Sequence, residues 1–135
     1  MSPQALIARA RFLILFVQES IQSALARAQG GTVTIPETTL LAWQTVLMQA
    51  VSDLNSLPVP AIFPPPNWAQ LVGMATSFVN TAIEMLAAIP VAQLRIFPPR
   101  PGQATVSTAT LRRVQENLLR AAEALEAAER ELAGA

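Results

Sequence analysis

Apolar residues recur at helical spacing along four stretches of the chain, and proline or glycine marks each break between them. In the first stretch Ser2 is a natural N-cap and Pro3 fits the first helical position, followed by a stripe of Ile7, Ala10, Ile14, Val17, Ile21, Ala24 and Ala28. This predicts a helix over about residues 3–29, stopped by Gly30-Gly31. Thr32-Val33-Thr34-Ile35 alternates as a short extended piece, and Thr34 with Glu37 has capping-box spacing. A second helix over about 35–56 then carries Leu40, Trp43, Leu47, Ala50, Leu54 and Leu57 on one face, and Pro58 ends it.

Residues 58–66 read PVPAIFPPP, five prolines in nine positions, which predicts a stiff, extended connector. Asn67, with Gln70 three residues on, is positioned to cap a third helix over about 67–89. Its apolar residues are Leu71, Val72, Met74, Ala75, Phe78, Val79, Ala82, Ile83 and Leu86. Only Gln70, Ser77, Asn80, Thr81 and Glu84 make a narrow polar stripe. Such a helix is either central in its bundle or shared with a neighbouring molecule. A second proline connector, Ile96 to Gly102, leads to a last helix over about 108–133. The expected fold is therefore all-α: one domain, 1–135, of four helices joined by proline-rich extended connectors, bundle-like and completed by subunit packing. IFPPP at 62 and IFPPRP at 96 echo each other, either as duplicated units or as two tight links using similar residues.

The last helix has the cleanest period. Leu111, Leu118, Leu125 and Leu132 recur every seven residues, with Val114, Ala121 and Ala128 three positions after the first three. That seam faces either a partner chain or a neighbouring helix of its own bundle. Glu116 with Arg120 and Glu126 with Arg130 have i,i+4 spacing, as on a solvated face. In the first helix, Phe12 to Val17 is apolar all round, and a monomeric bundle would leave part of it exposed. Candidate subunit-interface residues are accordingly Phe12, Leu15, Phe16, Leu111, Leu118, Leu125 and Leu132.

Composition strengthens the assembly reading. Hydrophobic residues make up 52% and charged residues 13%, against about 25% charged in an ordinary soluble domain. His, Cys, Lys and Tyr are all absent, which removes the usual general base, soft metal ligands, Schiff-base amine and thiol nucleophile. Glu19 and Glu84 lack the Glu-x-x-His companions of a di-iron bundle, and no glycine-rich phosphate loop occurs. We expect no enzymatic activity, no cofactor and no metal. The apolar run at Phe12 is too short to cross a bilayer, and Gln18-Glu19-Ser20 offers no signal-peptide cleavage site, so the N-terminus reads as mature structure without a transmembrane span.

Net charge is zero, yet its distribution is uneven: +2 over residues 1–35, −2 over 36–60, −1 over 61–94, +4 over 95–113 and −3 over 114–135. Arg112 and Arg113 lie near the start of the last helix while Glu126, Glu129 and Glu131 crowd its end, both against the helix macrodipole. The block Arg95, Arg100, Arg112 and Arg113 suits an anion such as phosphate, or pairs with acidic neighbours. Arg9 and Arg27, five helical turns apart, would share one side of the first helix, with Arg11 nearly opposite.

The length, the all-helical layout, the arginine-bearing first helix MSPQALIARARFLILFVQ and the proline elbows resemble the coat (major capsid) proteins of filamentous viruses of hyperthermophilic archaea. The likeness is architectural, spans the whole chain and rests on no specific motif. It implies a virion subunit, assembled in the host cytoplasm with copies of itself or a sister chain, that packs helically around double-stranded DNA. It also implies that Arg9, Arg11, Arg27, Arg95, Arg100, Arg112 and Arg113 include phosphate contacts made without reading sequence. Two other classes stand beside it: a small helical nucleic-acid-binding or adaptor module, and a membrane-surface-associated helical protein.

Overall fold

The computed structural model describes residues 1–94 and 100–134 of the chain. Four helices dominate: α1 (Pro3–Leu25), α2 (Glu37–Asn55), α3 (Asn67–Ala87) and α4 (Thr108–Ala133). They form a ring in which α1 packs against α2 and α4, and α3 against the same two. Side-chain pairs fix the directions. Arg9 near the start of α1 meets Asp53 near the end of α2, while Gln22 and Arg11 of α1 meet Gln115 and Glu129 of α4. Asn67 at the start of α3 meets Glu131 at the end of α4, so α4 runs antiparallel to both α1 and α3.

The expected stripes make the core. Ile7, Ala10, Ile14, Val17 and Ile21 of α1, Leu40, Trp43, Leu47, Ala50 and Leu54 of α2, and Val72, Ala75, Val79, Ala82 and Leu86 of α3 are all buried. Burying each large aliphatic side chain is worth about 1.5–3 kcal/mol, which is what holds helices whose own propensity would leave them marginal. The heptad seam of α4 belongs to the same core: Leu111, Val114, Leu118, Ala121, Leu125 and Ala128 are each 0% exposed within the single chain. This corrects the assignment of Leu111, Leu118 and Leu125 to a subunit interface. Their column alternates large and small residues so that α1 and α3 of the same chain can close on it, and nothing of it is left for a second molecule. Leu132, half-buried, also packs against this core.

Predominantly α-helical, the fold carries in addition a small antiparallel sheet of order β1-β3-β2, from β1 (Thr32–Pro36), β2 (Ala92–Leu94) and β3 (Arg100–Ser107). The extended piece at Thr32 was anticipated, but β2 was not, and β3 takes up the end of what reads as a plain proline connector, from Arg100. β1 and β3 pair from Thr32 opposite Ser107 to Pro36 opposite Gln103. Val33, Ile35, Ala104 and Val106 face inward and cap the end of the bundle where α1 stops and α2 and α4 begin. Residues 96–99, which carry most of the second proline motif, lie outside the described residues.

The sheet shifts the helix boundaries. α1 ends at Leu25 rather than near residue 29, because the chain must turn through Gly30 and Gly31, at φ 62° and 79°, to bring Thr32 beside β3. With Thr34 in the strand opposite Thr105, the capping box does not form. α2 starts after Pro36, and the Glu37 carboxylate instead accepts a hydrogen bond from the Gly102 N–H at 3.3 Å. Asn67 likewise does not cap α3. Pro66 holds that position, and the Asn67 amide donates to Glu131 at 2.8 Å. Ser2 caps α1 as expected, and Ser107 caps α4 through its Oγ, which accepts from the Thr110 N–H at 3.1 Å.

Candidate assembly and nucleic-acid surfaces

The arginines sort into two groups by what surrounds them. Arg9 donates from Nε to Asp53 Oδ2 at 2.8 Å and from Nη2 to Oδ1, while the Gln49 amide adds a third hydrogen bond to Oδ1 at 3.1 Å. Asp53 is 2% exposed, the one buried charged residue among those described. Arg9's hydrogen bonds, helped by Gln49 and by the guanidinium charge, hold its carboxyl below the usual range against the opposing effect of burial. Arg11 reaches Glu129 in the same two-pronged way, at 3.3 and 2.9 Å, and ties α1 to α4. Arg120 pairs with Glu116 and Arg130 with Glu126 at the i,i+4 spacing read from the sequence.

Arg27, Arg112 and Arg113 make the second group. All three are exposed, and none has a carboxylate within 4.0 Å among the described residues. They share the sheet-capped end. The Thr108 N–H at the start of α4 donates to the Gly31 carbonyl at 2.9 Å, which joins the turn carrying Arg27 to the helix carrying Arg112 and Arg113. Arg27 borders a polar hollow of about 390 Å³ with Gln29, Thr32 and Thr34. Arg113 borders a cleft of about 340 Å³ with Ser107, Thr110, Met85 and Ile89. The backbone of Arg100 lies in β3 at this end; Arg95 and the side chain of Arg100 lie outside the described residues.

Of the seven arginines expected to meet phosphate, then, Arg9 and Arg11 already face carboxylates of their own chain, and three gather at one end. Because α1 stops at Leu25, the five-turn spacing of Arg9 and Arg27 does not put them on a common helix face. Sequence reasoning passed over Asp53. Its signal was a lone carboxylate beside the Ala50–Leu54 stripe, a place where a charge needs a partner.

The apolar surface is the other candidate. Ile14 and Val17 are fully buried, whereas Phe12 is 68% and Phe16 55% exposed, with Leu15 half-buried beside them. Phe16, Thr38, Ala42 and Val46 line a hollow of about 260 Å³ between α1 and α2. Exposed large side chains also occur at Leu41 and Met48 on α2, Met74 on α3, Leu119 on α4 and, at 96%, Phe63 on the first connector. The chain exposes 7853 Å² in all.

Among the described residues no helix is long and apolar enough to cross a membrane. Comparison of the chain with known protein families, with curated proteins and with solved structures returns no match.

Proposed function

We propose that the protein is a structural, self-assembling subunit of the coat type, one that encloses nucleic acid through arginine–phosphate contacts that do not read sequence. The observation carrying this reading is the exposure of large apolar side chains on all four helices and on the connector, around a core that is already complete. Scattered single residues are ordinary on a monomer. Here they extend around the bundle, as suits a subunit with several neighbours. Arg27, Arg112 and Arg113 supply the nucleic-acid end, their charges directed outward with no carboxylate of the described chain to neutralise them. Double-stranded DNA fits because its phosphate spacing is regular and independent of sequence.

Light scattering over a concentration series, with and without double-stranded DNA, tests both parts. The expected result is size that grows with concentration, and DNA association that weakens steeply with added salt. A monomer at every concentration would overturn the assembly. A monomer that still binds DNA would instead favour a small nucleic-acid-binding module working through the same three arginines.

A further inference from the structure

Among the described residues the most exposed large apolar side chain is Phe63, at 96%, on the first connector. Every residue from Pro58 to Pro64 is exposed and none is charged. None of their backbone carbonyls accepts a hydrogen bond among the described residues. The prolines at 58, 60 and 64 have no N–H and fix their own φ, so the segment is stiff and richer in acceptors than in donors.

The hollow between α1 and α2 has the opposite chemistry. Elsewhere the helix hydroxyls of Thr45, Thr76 and Thr81 turn back onto the carbonyl four residues earlier, at 2.9, 2.9 and 3.0 Å. Those of Ser20, Thr38 and Thr39, which border the hollow, make no hydrogen bond among the described residues. Trp43, also in its lining, is only 3% exposed, and its indole N–H has no partner among the described residues either. No buried side-chain donor is left unsatisfied, so that N–H reaches the surface, and the hollow is the opening that Trp43 lines. The first turn of α2 adds backbone N–H groups, because Pro36 gives it no side-chain cap. Phe16, Ala42 and Val46 supply apolar walls. Glu19 and Glu37, next in sequence to Ser20 and Thr38, set this donor-rich place against a free anion. What fits it is a neutral group with an apolar body and unpaired carbonyls.

We propose that Phe63 of one copy enters the α1–α2 hollow of the next, its ring against Phe16 and Trp43, while connector carbonyls accept from the indole N–H and the rim hydroxyls. The contact rests on the self-assembly reading and names the two surfaces of one of its interfaces. Another copy is the fitting occupant on electrostatic grounds, since an uncharged, acceptor-rich segment meets a donor-rich hollow flanked by carboxylates. The connector cannot serve its own chain. It leaves the far end of α2, and Asn55 is about 20 Å along the helix from Ala42. It then crosses that same end to Asn67, beside Glu131 of α4. Because the two surfaces differ, the contact repeats head to tail and builds a ring or an open helical row rather than a two-fold pair. Proline stiffness lowers the ordering cost of each step.

The chain has no cysteine, so introduced thiols are clean reporters. Full-length Ile62→Cys and Ala42→Cys, both at exposed positions, are expected to be joined by a short bismaleimide linker when the two variants are mixed and not when either is alone. Ile62→Cys mixed with Glu123→Cys, on the exposed side of α4, stays unlinked. By sedimentation velocity, Phe63→Ser and Ala42→Arg are each expected to associate at least about tenfold more weakly than wild type, with unchanged helicity in circular dichroism. Mixed together they associate better than either does alone, because one keeps the hollow and the other keeps Phe63. Assembly that both substitutions leave intact, with Ile62→Cys and Ala42→Cys linking no better than the Glu123→Cys control, overturns this contact and spares the self-assembly reading. A wild-type chain that stays monomeric at every concentration overturns both.

Discussion

α3 and α4 lie side by side, yet they divide the work of the molecule in the opposite way to what their sequences suggest. α4 is rich in charge and has a strict heptad column, the usual mark of a helix that meets another chain. Its column is nevertheless sealed inside its own bundle, and its charges face water. α3 is nearly free of charge, the usual mark of a central helix. It stands at the periphery, with one side open. Periodicity shows which residues share a face; it does not show whether that face meets the same chain or another. Charge on the opposite face is the better guide, because it tells what that side of the helix is solvated by.

The comparison is broken most severely at Leu118. Leu118→Asp puts a carboxylate into a dry seam and is expected to abolish folding, whereas Leu118→Ala is expected to cost about 2–5 kcal/mol in urea melts. If both left stability unchanged, the α4 column would not be core. On α3 the corresponding insult, Met74→Glu, is expected to leave the melting temperature of the isolated chain within about 2 °C of wild type, a surface effect, while reducing assembly in light scattering. Equal loss of fold from Met74→Glu and Leu118→Asp would erase the distinction between the two helices.

The ion pair at Asp53 gives a pH-dependent test of the core side. Its carboxyl titrates below the usual value because the charged form is favoured in the fold. Its contribution is therefore complete at neutral pH and is lost as pH falls from about 4, the unfolded value, through the lowered one. Asp53→Asn is expected to melt earlier than wild type at pH 7, with the gap narrowing progressively as both are taken into acid below about pH 4. A gap that persists in acid would show that the amide disturbs packing rather than charge.

Smaller effects belong to the exposed arginines and to Gly73. Arg112→Gln with Arg113→Gln is expected to shift stability by no more than about 0.5 kcal/mol, and to flatten the salt dependence of DNA association by about one to two units of slope. A large drop in melting temperature with unchanged association would assign these arginines to the fold. Gly73→Ala is expected to stabilise the separated chain by about 1 kcal/mol, seen as a few degrees in a thermal melt. Destabilisation would mean that the position is crowded within the chain.

The legible parts of this fold were those fixed by local spacing. The four helices follow from stripes such as Ile7–Ala10–Ile14–Val17 and from Ser2 and the prolines that bound them. β3 was hidden because its alternation, Gly102 to Ser107, uses small residues and follows directly on a proline run. The N-caps at Thr34 and Asn67 misled for a related reason: each is a good local motif, overruled by a strand pairing or by a carboxylate from a distant helix. The arginines were legible as charges but not as sites. Whether a cation is neutralised depends on a partner such as Asp53 or Glu129, many residues away along the chain.

The pairing of β1 with β3 also bears on how the molecule comes together. Each helix can nucleate from its own segment, and α1 with α2 or α3 with α4 can dock across a modest loop. Thr32 and Ser107, by contrast, meet only after the chain between them has folded back on itself. Contacts this distant in sequence, together with the still more distant ones of α1 on α4 such as Arg11 with Glu129, 118 residues apart, are expected to set the slow step of folding, and a temperature jump would place strand formation after the docking of α1 on α2 and of α3 on α4.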